Sequence, residues 1–201
     1  MNGIIAKVKS WPATAGAGLM AFFALLTLSM AVPIGSAGAQ TGDWVESGGR
    51  FALGFQSLGW TGTPSVAHPP NIMAFVRNDS PRDDRMRICF VRQDAVPYSE
   101  GSTQATANQI LDRWDEARLS QVLGSPVTAM AHARVADVSA IDYRLQRENL
   151  DIMARVFMVQ GSAGMDQITI SCAFPAPLTD EEVASINAVF NSLHILPREI
   201  K

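Results

Sequence analysis

Residues 127–174 read VTAMAHARVADVSAIDYRLQRENLDIMARVFMVQGSAGMDQITISCAF, and the fold turns on this stretch. Four runs with strand character, Val127 to Ala136, Ala140 to Arg147, Ile152 to Gln160 and Gln167 to Phe174, follow one another with no helical pattern between them. Short polar turns such as Glu148-Asn149-Leu150-Asp151 and Gly161-Ser162-Ala163-Gly164 join them. A parallel return needs a crossover of about a dozen residues, so strands this close in sequence are antiparallel neighbours. The Ile152 run is apolar on both sides, with Ile152, Val156 and Met158 on one and Met153, Phe157 and Val159 on the other. That pattern predicts a central strand covered from both faces.

Upstream, Thr106 and Gln109 have the spacing of a capping box. Ile110, Leu111, Trp114, Leu119 and Val122 recur at helical intervals before Gly124 and Pro126 end the pattern. The opposite side carries Asp112, Arg113, Asp115, Glu116 and Arg118, which predicts one surface helix lying on a sheet. Downstream, Pro175 and Pro177 break the strand pattern. Thr179 with Glu182 repeats the capping spacing, and Val183, Ile186, Val189, Phe190 and Leu193 form the buried stripe of a closing helix.

Towards the N-terminus, Ile72 to Arg77 and Arg85 to Arg92 read as hairpin partners across the turn Asn78-Asp79-Ser80-Pro81. Arg50 to Gln56 alternates Phe51, Leu53 and Phe55 with small residues, as a half-buried strand does. A breaker-rich loop through Gly62, Pro64, His68, Pro69 and Pro70 separates them. The expected fold is α+β, of order βββαββββα. It is an α/β/α sandwich whose mainly antiparallel sheet of six to seven strands carries helices.

That order resembles the PsbP-like superfamily, as do the strand Phe51-Ala52-Leu53-Gly54-Phe55 leading into Gly59-Trp60 and a closing helix ending in Val189-Phe190-Asn191-Ser192-Leu193. The resemblance spans about Phe51 to Leu196 and implies an antiparallel sheet between helices, in a group whose members mostly bind or assist other proteins. It maps no functional residue onto this chain.

Residues 1–39 have the parts of an export signal: a basic start with Lys7 and Lys9, an apolar core from about Ala13 to Val32, the breakers Pro33 and Gly35, and the small triplet Ala37-Gly38-Ala39. Cleavage is expected after Ala39. The alternative is a retained anchor, since about 20 apolar residues can span a bilayer. A polar, glycine-rich leader, 40–49, and one domain, 50–201, follow. Removing 1–39 takes away two of 16 basic residues and none of 19 acidic ones, leaving 14 against 19 and a net charge of −5. A mildly acidic domain has no electrostatic claim on nucleic acid.

Both cysteines, Cys89 and Cys172, lie in the exported part, where an even count fits one disulfide. If Ile88 and Phe90 face the core, however, Cys89 points to the opposite side of the sheet from Cys172, and the pairing stays open.

No catalytic, metal or cofactor constellation is present. His68, His132 and His194 lack ligand spacing, and no G-x-S-x-G elbow or phosphate loop occurs. Two contact surfaces are candidates: the loop of Trp60 and His68, and the second hairpin with Arg82, Arg85 and Arg87, among a mixture of charges that also suits a solvated edge. The expectation is a non-enzymatic periplasmic or secreted accessory domain with an envelope protein partner, no cofactor, no nucleic acid and no stable membrane insertion after processing. The alternative is a small-ligand carrier or sensor with a pocket between sheet and helix. An enzyme pairing His68 or His132 with a carboxylate such as Asp142 comes third.

Overall fold

In the computed structural model the residues described are 43–63, 70–80, 87–97 and 99–197. The expected signal and its cut after Ala39, with His68, Arg82 and Arg85, lie outside them. The elements in chain order are β1 (Trp44–Val45), β2 (Phe51–Leu53), a 3-10 turn (Gln56–Leu58), β3 (Trp60–Thr63), β4 (Asn71–Arg77) and β5 (Ile88–Ala95). Then come α1 (Gln104–Leu111), α2 (Glu116–Leu123), β6 (Val127–Val135), β7 (Val138–Arg147), β8 (Leu150–Gln160), β9 (Met165–Pro175), α3 (Asp180–Asn191) and β10 (Leu193–Ile195).

Seven strands form one antiparallel sheet in the order β3-β4-β5-β9-β8-β7-β6, and β1-β2-β10 form a second, three-stranded sheet. The fold is α+β with layers on both sides of the large sheet. The four strands read from residues 127–174 are β6 to β9, and β8 is central in the way its two apolar sides require. Its Phe157 and Val159 join Phe51, Phe55, Trp60, Ile186, Val189 and Phe190 in the core under α3 and the small sheet. Its Ile152, Val156 and Met158 join Leu111, Trp114 and Leu119 in the core under α1 and α2.

Several expectations are corrected. Arg50 to Gln56 is not a strand of the large sheet: only Phe51–Leu53 is extended, and it pairs with β1 and β10. After Phe55 the chain makes a 3-10 turn closed by Gly59 at φ 81°, a left-handed value suited to glycine, and re-enters as β3. Gly62 then lets the Phe55 ring cross β3, because a Cβ there would lie 2.5 Å from the ring. Within the expected leader, residues 43–49, β1 pairs with β2 and both Trp44 and Glu46 are buried.

The single helix expected from Thr106 is two helices. Thr103, not Thr106, is the first cap, accepting from the Thr106 amide, and Asp115 caps the second helix by accepting from the Arg118 amide. The break tucks Trp114 under the helix pair and leaves Ile110 and Val122, expected in the stripe, 40% and 41% exposed. At the C-terminal end, Thr179 and Glu182 form the expected capping box, but α3 stops at Asn191 and Leu193 is buried from β10.

Cys89 and Cys172 are bonded. They stand directly opposite each other on β5 and β9 with Cα atoms 4.0 Å apart, and both are buried with Val91, Ile168, Ile170 and Phe174 on the α3 side. The sequence reading that parted them put Ile88 and Phe90 on the core side. Here those two are half-buried on the opposite face, and the cysteines take the core side instead.

Candidate binding face

Two of the expected contact residues are structural. Trp60 is only 1% exposed, edge-on to Phe75 at 5.4 Å and tilted against Phe174 at 5.9 Å, so it is core and not contact surface. Arg87 is held by Glu182 at the head of α3, Nε to Oε1 at 2.6 Å, and its amide donates to the Ser80 hydroxyl. Burial pushes the Glu182 carboxyl up, but the Thr179 amide and hydroxyl and the Arg87 guanidinium outweigh it and hold it below the ordinary glutamate value. Arg77 likewise binds Asp79 and reaches Glu181. Arg77 and Arg87 thus tie this hairpin to the head of α3.

Of the catalytic alternative, His68 lies outside the described residues, and His132 and Asp142 are not brought together. His132 pairs in register with Ile141 and shares its face, whereas Asp142 pairs with Arg155 on the other face. Asp142 accepts both guanidinium donors of Arg155 at 2.6 and 2.8 Å, and the buried guanidinium also donates to the Phe190 carbonyl at 2.6 Å near the end of α3. His132 and His194 are both exposed, on β6 and β10. Among the described residues no group of three or more His, Cys, Asp or Glu could hold a metal ion, and no helix is long and apolar enough to cross a membrane.

Coverage of the large sheet is lopsided on the side of α1 and α2. Those helices cover β6, β7 and β8, whereas no described helix packs over β4 and β5 on that side. There Ala74, Val76, Ile88 and Phe90 are half-buried and belong to neither core cluster. Between this wall and the helix-covered strands runs β9, whose residues on this face, Thr169, Ser171 and Ala173, are small. Register places Phe90 beside Ser171, then Ala154, then Tyr143; the next row is Ile88, Ala173, Ile152 and Leu145. Small side chains on β9 thus lie between the larger ones of β5 and the core under α1 and α2.

Tyr143 is 9% exposed, and neither its hydroxyl nor those of Thr169 and Ser171 is hydrogen-bonded among the described residues. Burial pushes the Tyr143 hydroxyl up to about 12, and the Arg92 charge acts in the opposite sense, which places that guanidinium within electrostatic reach. Arg92 itself is neutralised by Asp94, with Nε to Oδ2 at 2.6 Å and Nη2 to Oδ1 at 2.9 Å. Sequence reading missed this site. Its one signal was the alternation of Thr169, Ser171 and Ala173 with Ile168, Ile170 and Cys172, which reads equally as an ordinary solvated strand face.

The chain matches no protein-family model and no curated protein. Among solved structures it is similar to cyanobacterial PsbP (CyanoP) from Synechocystis sp. PCC 6803, at 16% identity and a TM-score of 0.49, over 84% of this chain and 98% of that one. It is also similar to a structure from Bacteroides thetaiotaomicron VPI-5482, at 12% identity and a TM-score of 0.45, over 80% of this chain and 50% of that one. A third is LpqN, described as involved in cell envelope biogenesis of Mycobacterium tuberculosis, at 9% identity and a TM-score of 0.45, over 69% of this chain and 79% of that one. A PsbP-type structure thus stands among the neighbours, in keeping with the element order; the likeness is one of fold and brings no residue, ligand or partner to this chain.

Proposed function

We propose that the chain is exported, loses residues 1–39, and works as a non-enzymatic binding domain of the cell envelope, in the periplasm or outside the cell. Two features support export: the signal pattern of the first 39 residues and the bonded pair Cys89–Cys172, a linkage that persists in oxidising compartments. The observation that carries the binding role is the half of the sheet over which no described helix packs, where Val76 and Ile88 stay half-buried. Partly exposed apolar surface beside a packed layer marks a place where something binds. An envelope protein assisted by this domain is the first reading of what docks there.

The test is a photo-crosslinking residue placed at Val76, or at Thr61, its register partner on β3, in the exported protein, with His194 as a control on another surface. A discrete adduct from the first two positions and none from His194 is the expected result. Equal, diffuse labelling from all three would refute the binding face.

A further inference from the structure

The seven-stranded sheet ends on β6, and among the described strands β6 pairs only with β7. Its outer backbone over residues 129–135 meets no hydrogen-bond partner among the described residues. Free edges are ordinarily blunted by charge, proline, bulges or short length. This one runs nine residues with no proline, and Thr128, Ala129, Ala131, His132 and Arg134 are exposed. Its bulge is confined to the start, between Val127 and Ala129. Its single charge, Arg134, is drawn to Asp112 at the end of α1, 3.6 Å away.

The hairpin turn fixes which backbone groups face outward. Val135 and Val138 pair across Ala136 and Asp137, with Ala136 at φ 54°. Residues flanking so short a turn exchange both hydrogen bonds, and the pattern alternates from there. Val135, Ala133 and Ala131 therefore point amide and carbonyl at β7, whereas Arg134, His132 and Met130 point theirs away from the sheet. His132 is the midpoint of the regular run 129–135. Turned antiparallel about His132, the run sets Met130 opposite Arg134, Ala131 opposite Ala133 and Ala129 opposite Val135 of a second copy. Arg134 thus never meets its own copy, and the closest cross-strand positions fall to small side chains.

We propose that β6 pairs antiparallel with β6 of a second copy about His132, so that one sheet runs through a symmetric dimer. The contact is closed by its twofold axis and stops at two chains. β6 lies at the far end of the sheet from β3, β4 and β5, so the dimer leaves the proposed binding face open on both copies.

Sedimentation equilibrium of the exported, purified chain, from about 1 µM to about 200 µM, should show a monomer–dimer equilibrium with a dissociation constant below about 100 µM. Amide hydrogen exchange read by NMR reports the register. Exchange at Met130, His132 and Arg134 should slow in proportion to the dimer fraction, whereas Ala131 and Ala133, already bonded to β7, should not respond to concentration. His132→Lys sets two ammonium groups together at the axis and should weaken association by about tenfold or more, with Ala131 and Ala133 still protected. A chain monomeric throughout the range, a dimer that His132→Lys leaves unchanged, or a dimer whose outward amides exchange as fast as in the monomer would overturn the proposal. Crosslinking from Val76 reads the other end of the sheet, so either idea can fail without the other.

Discussion

Reducing the Cys89–Cys172 bond should lower the stability of the domain by about 4.5 kcal/mol. The bond joins cysteines 83 positions apart in sequence, so it closes a long loop in the unfolded chain. On the chain-entropy relation such a loop falls between the values of about 3 kcal/mol for 15 residues and about 4.7 for 100. Comparing oxidised with reduced protein, instead of substituting alanine, leaves the buried sulfurs in place and avoids a cavity contribution on either side of the β5–β9 pair. With a urea m-value of about 2 kcal/mol/M, the midpoint should fall by about 2 M on reduction. Far-ultraviolet circular dichroism in urea, with and without a phosphine reductant, measures this directly. Both sulfurs are buried in the core, so reduction of the native protein should be slow and should speed up as urea opens the sheet. A midpoint shift below about 0.5 M, or two thiols that titrate in denaturant without reductant, would refute the reasoning.

Arg155→Met should destabilise the domain by about 3 kcal/mol, because Asp142 and the Phe190 carbonyl both lose a buried partner; equilibrium denaturation reads this, and adding Asp142→Ala should recover part of the loss. Tyr143 should ionise only at about 12, so the phenolate absorbance should show a late rise that is missing in Tyr143→Phe. Because folding raises that value, its contribution is complete below the unfolded tyrosine range near pH ~10 and is lost as pH climbs towards the folded value. Glu182 is depressed by folding, so its contribution is complete above the unfolded glutamate range near pH ~4.3 and is lost as pH falls through the lower folded value. Melting temperatures from pH 7 to pH 3 should therefore decline less steeply in Glu182→Gln. Thr179→Ala should cost about 1 kcal/mol through loss of the α3 cap.

The strands of residues 127–174 were legible because period-two alternation and short turns are local signals, and short turns leave only antiparallel pairing. The α3 cap was legible for the same reason: Thr179 and Glu182 are three residues apart and satisfy each other's backbone amides. The break between α1 and α2 was not, since Leu111, Trp114 and Leu119 fit one continuous helix, and it is the burial of Trp114 in the core shared with β7 and β8 that divides it. The proposed binding face stayed hidden because it is defined by which strands no described helix covers.

By itself, the sequence determined the class of fold, the antiparallel run of β6 to β9, the two-sided burial of β8 and the pattern of an export signal. Tertiary structure alone decided that Cys89 turns towards α3 and meets Cys172, that Phe51–Leu53 leaves the large sheet, and that Tyr143 joins the core under α1 and α2. The division has one physical cause. Alternation along a strand shows that two faces exist, but which face meets which layer is settled by packing between residues far apart in the chain.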